Sequence, residues 1–396
     1  MAVESLPRVA GPKVALLNDP VFRGRVYQFV LAAAIILLFI FIANNAVANL
    51  RAQNKSMGFN FLWLTSGFDI SFTLIPYSRA SFYITAFVVG LLNTLLVAVV
   101  GIFFATILGF LMGIARLSSN FLVRSFATVY IEIFRNVPLL VQLFFWYFGV
   151  LKAMPAVKQS YVFLGGIVVN QRGIYVPKPL PSEQFGWVWG AIIVAVVGAF
   201  IYRWYARRLL LDTGRRLPVV LPVLATLILV PGVVWLLTGS HLDFEQPVLQ
   251  GFNYRGGVTL PPELVALTFG LVWYTGTFIA EIVRAGILSV NKGQTEAAQS
   301  LGLREGDTLR LVVLPQAMRV IVPPLTSQFL NLTKNSSLAA FIGYPDLVNV
   351  FAGTALNQTG RAIEIISLTM LVYLTFSLTT SVFMNWYNAR VALRER

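Results

Sequence analysis

The residues best placed for chemistry in this chain lie in one polar stretch between two apolar ones. It reads Glu296-Ala-Ala-Gln-Ser-Leu-Gly-Leu303, runs on through Arg304, Glu305, Asp307 and Arg310, and closes on Leu314-Pro315. Gly302 stands six positions after Glu296, and Leu314-Pro315 stands twelve and thirteen after Gly302. Ala297 and Ala298 favour a short helix and close approach, and Gly302 can turn the chain through a backbone conformation barred to bulkier residues. Leu301, Leu303, Leu309 and Leu311 add an apolar face ringed by charge. The chemistry of such a surface is recognition, so it should seek a partner protein. Pro315 is expected to end the segment before the next apolar helix begins.

A second group lies inside the apolar segments, where a polar side chain is costly and should face protein or water. Gln328, Asn331, Lys334 and Asn335 recur at helical three- and four-residue spacing and so share a face. They read either as a stripe lining a path for a zwitterionic solute, or as a packing network with Lys334 held by subunit contacts or snorkelling to an interface. Pro323 and Pro324 should bend or shorten the same helix. Asn93 and Thr94 are further candidates for the path. Glu281 and Arg284, three apart, read as a structural ion pair. Gly109 and Gly113 form a Gly-x-x-x-Gly pattern that implies close helix packing. The single His241 reads as solvated, and with no cysteine there is no basis for a metal site. No Gly-x-x-x-x-Gly-Lys-Ser/Thr loop occurs, and the scarcity of His, Asp and Glu argues against a membrane enzyme.

These residues must be positioned by membrane helices. The chain has 396 residues, 57% of them hydrophobic and 12% charged, about half the charge usual in a soluble domain. An all-α polytopic fold follows, with about eight candidate spans: 27–47, 84–113, 135–152, 186–202, 218–238, 263–284, 319–342 and 364–386. Each approaches the roughly 20 residues that cross a hydrocarbon core. Placing both termini in the cytoplasm puts twenty of the thirty Lys and Arg residues on that side and nine on the other, with Lys334 inside a span. The net charge of +14 is then a matter of topology, not of nucleic acid binding. Membrane lipid is the partner expected for the Arg203–Arg216 cluster, and the 296–315 segment falls on the cytoplasmic side. The first span is too long for a typical cleaved signal. Residues 49–83, with Phe59, Phe61, Trp63 and Phe68, suit the lipid–water interface, and the Gly/Pro-rich stretches 153–185 and 239–262 read as loops. No internal repeat of the secondary-transporter kind is present.

The polar segment resembles the coupling loop of binding-protein-dependent ABC importers, with Val312 where the family pattern has Ile. Further stretches carry the likeness: Tyr130-Ile-Glu-Ile-Phe-Arg-Asn-Val-Pro-Leu-Leu-Val-Gln-Leu-Phe-Phe145, Tyr274-Thr-Gly-Thr-Phe-Ile-Ala-Glu-Ile-Val-Arg-Ala-Gly286 and Pro323-Pro-Leu-Thr-Ser-Gln-Phe-Leu-Asn-Leu-Thr-Lys-Asn-Ser-Ser-Leu338. They are similar to the polar amino acid branch of ABC permeases, which usually has about five helices. The resemblance implies a type I ABC importer permease core in residues 84–152 and 251–388. To that core are added an extra helix within residues 1–83, an inserted helix pair within 153–250 and a tail at 389–396. It implies a bacterial inner membrane protein that carries polar L-amino acids and has no cofactor of its own. The implied partners are a second, non-identical permease subunit, two ATP-binding subunits and a periplasmic binding protein. ATP would be hydrolysed on the ATPase, which grips Glu296, Ala297, Ala298, Gly302, Leu314 and Pro315. The alternative is an ion-gradient-driven carrier using Lys334.

Overall fold

The computed structural model describes residues 20–52, 58–215 and 217–391. The N-terminal segment before Pro20, Lys55, Arg216 of the basic cluster and the end of the tail beyond Val391 lie outside the described residues. Twelve helices and eight short strands follow one another: α1 (Pro20–Ala52), α2 (Tyr83–Ala115), α3 (Phe121–Asn136), α4 (Leu139–Phe144), β1 (Tyr161–Phe163), β2 (Ile167–Asn170), β3 (Gly173–Val176), β4 (Lys178–Pro181), α5 (Phe185–Thr213), α6 (Val220–Thr238), β5 (Leu242–Glu245), β6 (Val248–Gln250), β7 (Asn253–Arg255), β8 (Val258–Leu260), α7 (Pro262–Leu288), α8 (Lys292–Ser300), α9 (Glu305–Thr308), α10 (Leu314–Asn335), α11 (Leu356–Thr359) and α12 (Ala362–Val391). Among the described residues seven helices are long and apolar enough to cross a membrane, and the bent pair α3–α4 makes an eighth candidate.

The core is built where α2, α4, α7 and α10 meet, around the fully buried Leu143, Leu267, Leu271, Ile279, Ile321 and Leu332. Helices gain no hydrophobic drive from one another in lipid, so short-range packing must hold them. Gly109 and Gly113 allow it. A Cβ on Gly109 would stand 2.5 Å from the Cβ of Ile279, and one on Gly113 would stand 2.7 Å from the carbonyl oxygen of Ala280. The Gly-x-x-x-Gly pattern is therefore the contact of α2 with α7. Gly286, near the end of α7, admits the Ile321 side chain of α10 in the same way.

The expected third span, 135–152, is different in the structure. The amphipathic α3 occupies residues 121–136, its start capped by Asn120, and the chain turns by 105° before α4. Arg135 lies in the last turn of α3, and Pro138 caps α4 instead of sitting inside a helix. The break has a local cause. The carbonyl of Phe134 would take its helical bond from the N–H of residue 138, and proline has none. The buried Gln142 side chain takes over, donating from Nε2 to the carbonyls of Phe134 at 2.7 Å and Val137 at 2.9 Å. From α4 the chain continues through a π turn, Phe145–Leu151.

The stretches expected as loops, 153–185 and 239–262, carry strands. One antiparallel sheet has the order β1-β2-β3-β8, and β4–β5 and β6–β7 form two further ribbons. Pairing of β3 with β8 joins residue 174 to residue 260, so the folded insertion reaches past 250 to the start of α7. Of the aromatic residues expected at the lipid–water interface, Phe59 and Trp63 are exposed. Phe61 instead is buried, stacking on Phe351 and edge-on to Tyr83.

The Gln142 bonds make a prediction. Gln142→Met, which keeps the volume and removes the donor, is expected to cost about 1–3 kcal/mol by stranding two carbonyls. Thermal unfolding of the purified protein in detergent measures it, and an unchanged midpoint would mean that the carbonyls find other donors.

Candidate functional site

The polar segment folds as a helix, a stop and a second helix. Asn291 opens α8, its Oδ1 accepting from the N–H of Gly293 at 2.9 Å. The helix ends at Gly302, whose φ of +77° lies in the left-handed region. The N–H of Gly302 donates to the carbonyl of Gln299 at 2.9 Å, and that of Leu303 donates to the carbonyl of Ala298 at 3.2 Å. These two bonds satisfy carbonyls that a helix end otherwise leaves unpaired, and they require a residue that tolerates positive φ. A glycine at position 302 is thus a mechanical requirement of the turn.

Burial divides the motif into two faces. Ala298 is buried, while Glu296 and Ala297 are exposed and Leu301 is 83% exposed. Leu309 and Leu311 are also exposed, and Leu303 is half-buried. A cleft of about 410 Å³ lies between the end of α7 and the α8–α9 segment, bordered by Leu288, Lys292, Gln299, Glu305 and Leu309. Apolar side chains flanked by charge thus stand free in the isolated subunit.

Pro315 does not end the segment. A π turn, Leu309–Val313, joins α9 to α10, and Pro315 sits in the first turn of α10. The N–H of Leu314 reaches back to Leu309, so the wider turn takes up the disturbance that proline imposes on a regular helix. Leu314 is half-buried and Pro315 exposed. Nor do Pro323 and Pro324 shorten the helix, which continues to Asn335. Membrane helices tolerate proline where neighbouring helices support the freed backbone groups.

At the root of the segment Glu281 pairs with Arg284 at 3.1 Å. It also pairs with Arg116 at the end of α2, which reaches Glu132 of α3 at 3.4 Å. Three helices are tied at one guanidinium, that of Arg116. Arg116 and Glu132 carry no sequence signal for this, because the contacts cross between helices and follow no spacing along one of them.

The stripe on α10 points away from the subunit's own core. Asn331 and Lys334 are exposed, Gln328 and Asn335 are partly so, and the opposite face buries Ile321, Val322, Leu325 and Leu332. Among the described residues Lys334 has no carboxylate within ion-pair distance. The stripe is therefore no packing network within this chain. Asn93 and Thr94 are elsewhere, fully buried on α2. Asn93 donates to the carbonyls of Phe72 at 2.9 Å and Pro345 at 2.8 Å. Thr94 donates to Gly90 and accepts from the N–H of Leu347 at 3.0 Å. They fasten α2 to the turn that follows α10, and their burial takes them off the surface a solute could touch. His241 lies 3.4 Å from Asp243, and no metal-binding cluster of His, Cys, Asp or Glu occurs among the described residues.

Residues 209–394 match the model of a family described as the inner membrane component of binding-protein-dependent transport systems. The general L-amino acid transport system permease protein AapQ of Rhizobium johnstonii is 47% identical over 380 residues, covering 96% of this chain and 95% of the relative. The putative amino-acid ABC transporter permease protein YhdX of Escherichia coli is 47% identical over 380 residues, 96% of each chain. The chain belongs to the family of ABC transporter permeases. A third relative, the glutamate/glutamine/aspartate/asparagine transport system permease protein BztB of Rhodobacter capsulatus, is 42% identical over the whole of both chains. The permease is a transport subunit, and its helices and family make it a multi-pass inner membrane protein that works in a transporter complex.

Sequence reasoning passed over one buried group of this permease. Asp346 is 1% exposed, in the turn between the span ending at Ile342 and the one starting at Ala362. Its Oδ1 accepts from the N–H of Asn349 at 2.8 Å, and its Oδ2 faces the Tyr373 hydroxyl at 3.5 Å. Burial pushes its carboxyl up to about 7, against the pull of those bonds. A carboxyl raised in the folded state binds its proton more tightly there than in the unfolded chain. Its contribution is then full below the unfolded pKa near 4 and is lost as pH rises toward 7. Asp346→Asn is expected to abolish that slope. Melting of both proteins between pH 4 and 8 tests this, and parallel curves would show that Asp346 does not titrate in this range.

Proposed function

We propose that this permease is the membrane path of an importer for polar L-amino acids, driven by ATP hydrolysed on separate subunits that engage residues 296–315. The observation that carries the coupling role is the α8 stop. Glu296, Ala297 and Leu301 are presented on a helix whose end is locked by two bonds at Gly302, beside a cleft. An exposed apolar face held rigid in this way is suited to capture by a partner. Ala298 packs beneath it, and Leu314-Pro315 begins the helix to which it connects. The substrate class rests on the relatives, whose names refer to amino acids.

In this reading the stripe of Gln328, Asn331, Lys334 and Asn335 borders the path, with the ammonium of Lys334 available to a substrate carboxylate. One coupling segment per chain and two ATPases per transporter call for a second permease, a non-identical relative, whose face meets that stripe. A periplasmic binding protein delivers the amino acid. The excess of Lys and Arg on the α8 side supports a cytoplasmic position for the segment and for both termini. ATP is the one small molecule required besides the substrate, and it binds the ATPase.

Gly302→Val forces a β-branched residue to positive φ, and Glu296→Arg reverses the exposed charge. Each is expected to leave the permease inserted while lowering ATP-driven uptake of labelled glutamate or glutamine at least tenfold in proteoliposomes with the co-purified partners. The amount of ATPase retained on the tagged permease should fall in parallel. Uptake and ATPase retention unchanged in both variants would overturn the coupling role. Uptake that needs no ATPase but collapses with the proton gradient would replace the ATP-driven reading with an ion-driven one.

A further inference from the structure

Neither the coupling segment nor the stripe uses α5 and α6. These two helices pack on each other, with Ala191, Ala195, Ala199 and Ala206 buried along α5. Strand β4 leads into α5, β5 follows α6, and the two strands pair, so residues 217–219, the turn into α6, lie at the far end of the hairpin from the sheets. The Tyr202 hydroxyl fastens that turn, donating to the carbonyl of Pro218 at 2.9 Å. Here the helices part around a cleft of about 740 Å³, bordered by Arg203, Ala206, Arg207, Leu210, Val220 and Leu224.

The cleft combines two chemistries. Arg203 and Arg207 are one helical turn apart and exposed, and among the described residues neither has a carboxylate within ion-pair distance. The nearby Asp212 is itself exposed and forms none of those pairs. Arg208 differs, because its guanidinium lies over the Trp204 ring, 4.5 Å from the centroid. The opposite wall, Val220, Val223 and Leu224, is wholly apolar. We propose that this cleft binds one anionic phospholipid, its phosphodiester between the guanidiniums of Arg203 and Arg207 and an acyl chain along Val220, Val223 and Leu224.

Charge and shape both select that occupant. A guanidinium presents paired donors that match two oxygens of a phosphate, and two neighbouring guanidiniums repel each other until an anion lies between them. A zwitterionic lipid brings its own cation to the same place and gains less. Free inorganic phosphate fills the charged half and leaves the apolar wall bare. A topology signal alone needs only positive charge near a helix end, whereas here the charge opens onto an apolar cleft at the adjoining ends of two helices long and apolar enough to cross a membrane.

The test is native mass spectrometry of the complete permease complex, delipidated in a neutral detergent and titrated with phosphatidylglycerol, phosphatidylcholine or inorganic phosphate. Phosphatidylglycerol is expected to bind on the order of tenfold more tightly than phosphatidylcholine, to weaken at high salt, and to resist competition by equimolar phosphate. The double variant Arg203→Gln/Arg207→Gln should bind the two lipids alike, while Arg208→Gln keeps the preference. Leu224→Trp fills the apolar wall without changing the charge that directs insertion, and it should also reduce phosphatidylglycerol binding. Equal binding of both lipids by the unaltered protein would overturn the proposal. So would a preference that survives both the double variant and Leu224→Trp, or competition by phosphate at equal concentration.

Discussion

In lipid two helices gain nothing by hiding from solvent, so the contact of α2 with α7 depends on atoms meeting at short range, and Gly109 and Gly113 are what let them meet. Other parts of the core take their positions from that contact. With α2 pressed onto α7, Arg116 at the end of α2 comes within reach of Glu281, and Glu132 joins through the same arginine. Such an ion cluster is worth holding only where its members are placed for it, since three long side chains would otherwise lose their freedom for little gain. The backbone approach makes the placement. In the opposite half of α2, Asn93 and Thr94 grip the turn after α10. Helix α2 thus locates both the root of the 296–315 segment and the far end of the polar stripe.

Much of the architecture was legible in the sequence because its causes are local. A run of apolar residues long enough to cross a membrane needs no knowledge of its neighbours, and the spans at α2, α5, α6, α7, α10 and α12 follow from that alone. The stop of α8 was legible for the same reason: a glycine four residues after Ala298 supplies a left-handed turn within the segment itself. What the sequence hid lies in non-local pairing. The strands have three or four residues each, too few to show a pattern, and β3 meets β8 across a gap that holds two membrane helices. The break at Pro138 falls inside the expected span 135–152, because a proline near the start of an apolar run suits the first turn of a helix equally well. Only the position of Gln142 below the freed carbonyls shows that two helices meet there.

Polar residues within the spans show the limit most clearly. Asn93 and Asn331 looked alike, each a carboxamide in an apolar helix. The structure separates them by the partners within reach. Asn93 faces two carbonyls of its own chain and is sealed from every surface, whereas Asn331 stands on a face where this chain offers nothing. A carboxamide in hydrocarbon must bond to something, so the helix face decides between a structural and a solvent- or partner-facing role. That decision depends on rotation about the helix axis relative to the bundle, which spacing along one helix does not contain.

The same geometry bears on how a push at one face could be felt at the stripe. Residues 305–342 form one candidate span, because the π turn carries the helix across Pro315 without a break. Some 30 helical residues reach about 45 Å at 1.5 Å per residue. A force applied at α8 therefore meets a rod that ends beside Lys334, not a chain of loose turns. Two features limit how that rod can move. Ile321, seated in the space left by Gly286, holds its middle against α7. Glu281 fixes α7 in turn to Arg116 and the end of α2. Rotation about its axis or rocking about the Ile321 contact is left as the low-cost motion, since sliding would drive Ile321 out of its seat. Either motion changes what the exposed Asn331 and Lys334 face while leaving the buried contacts of Asn93 and Thr94 intact.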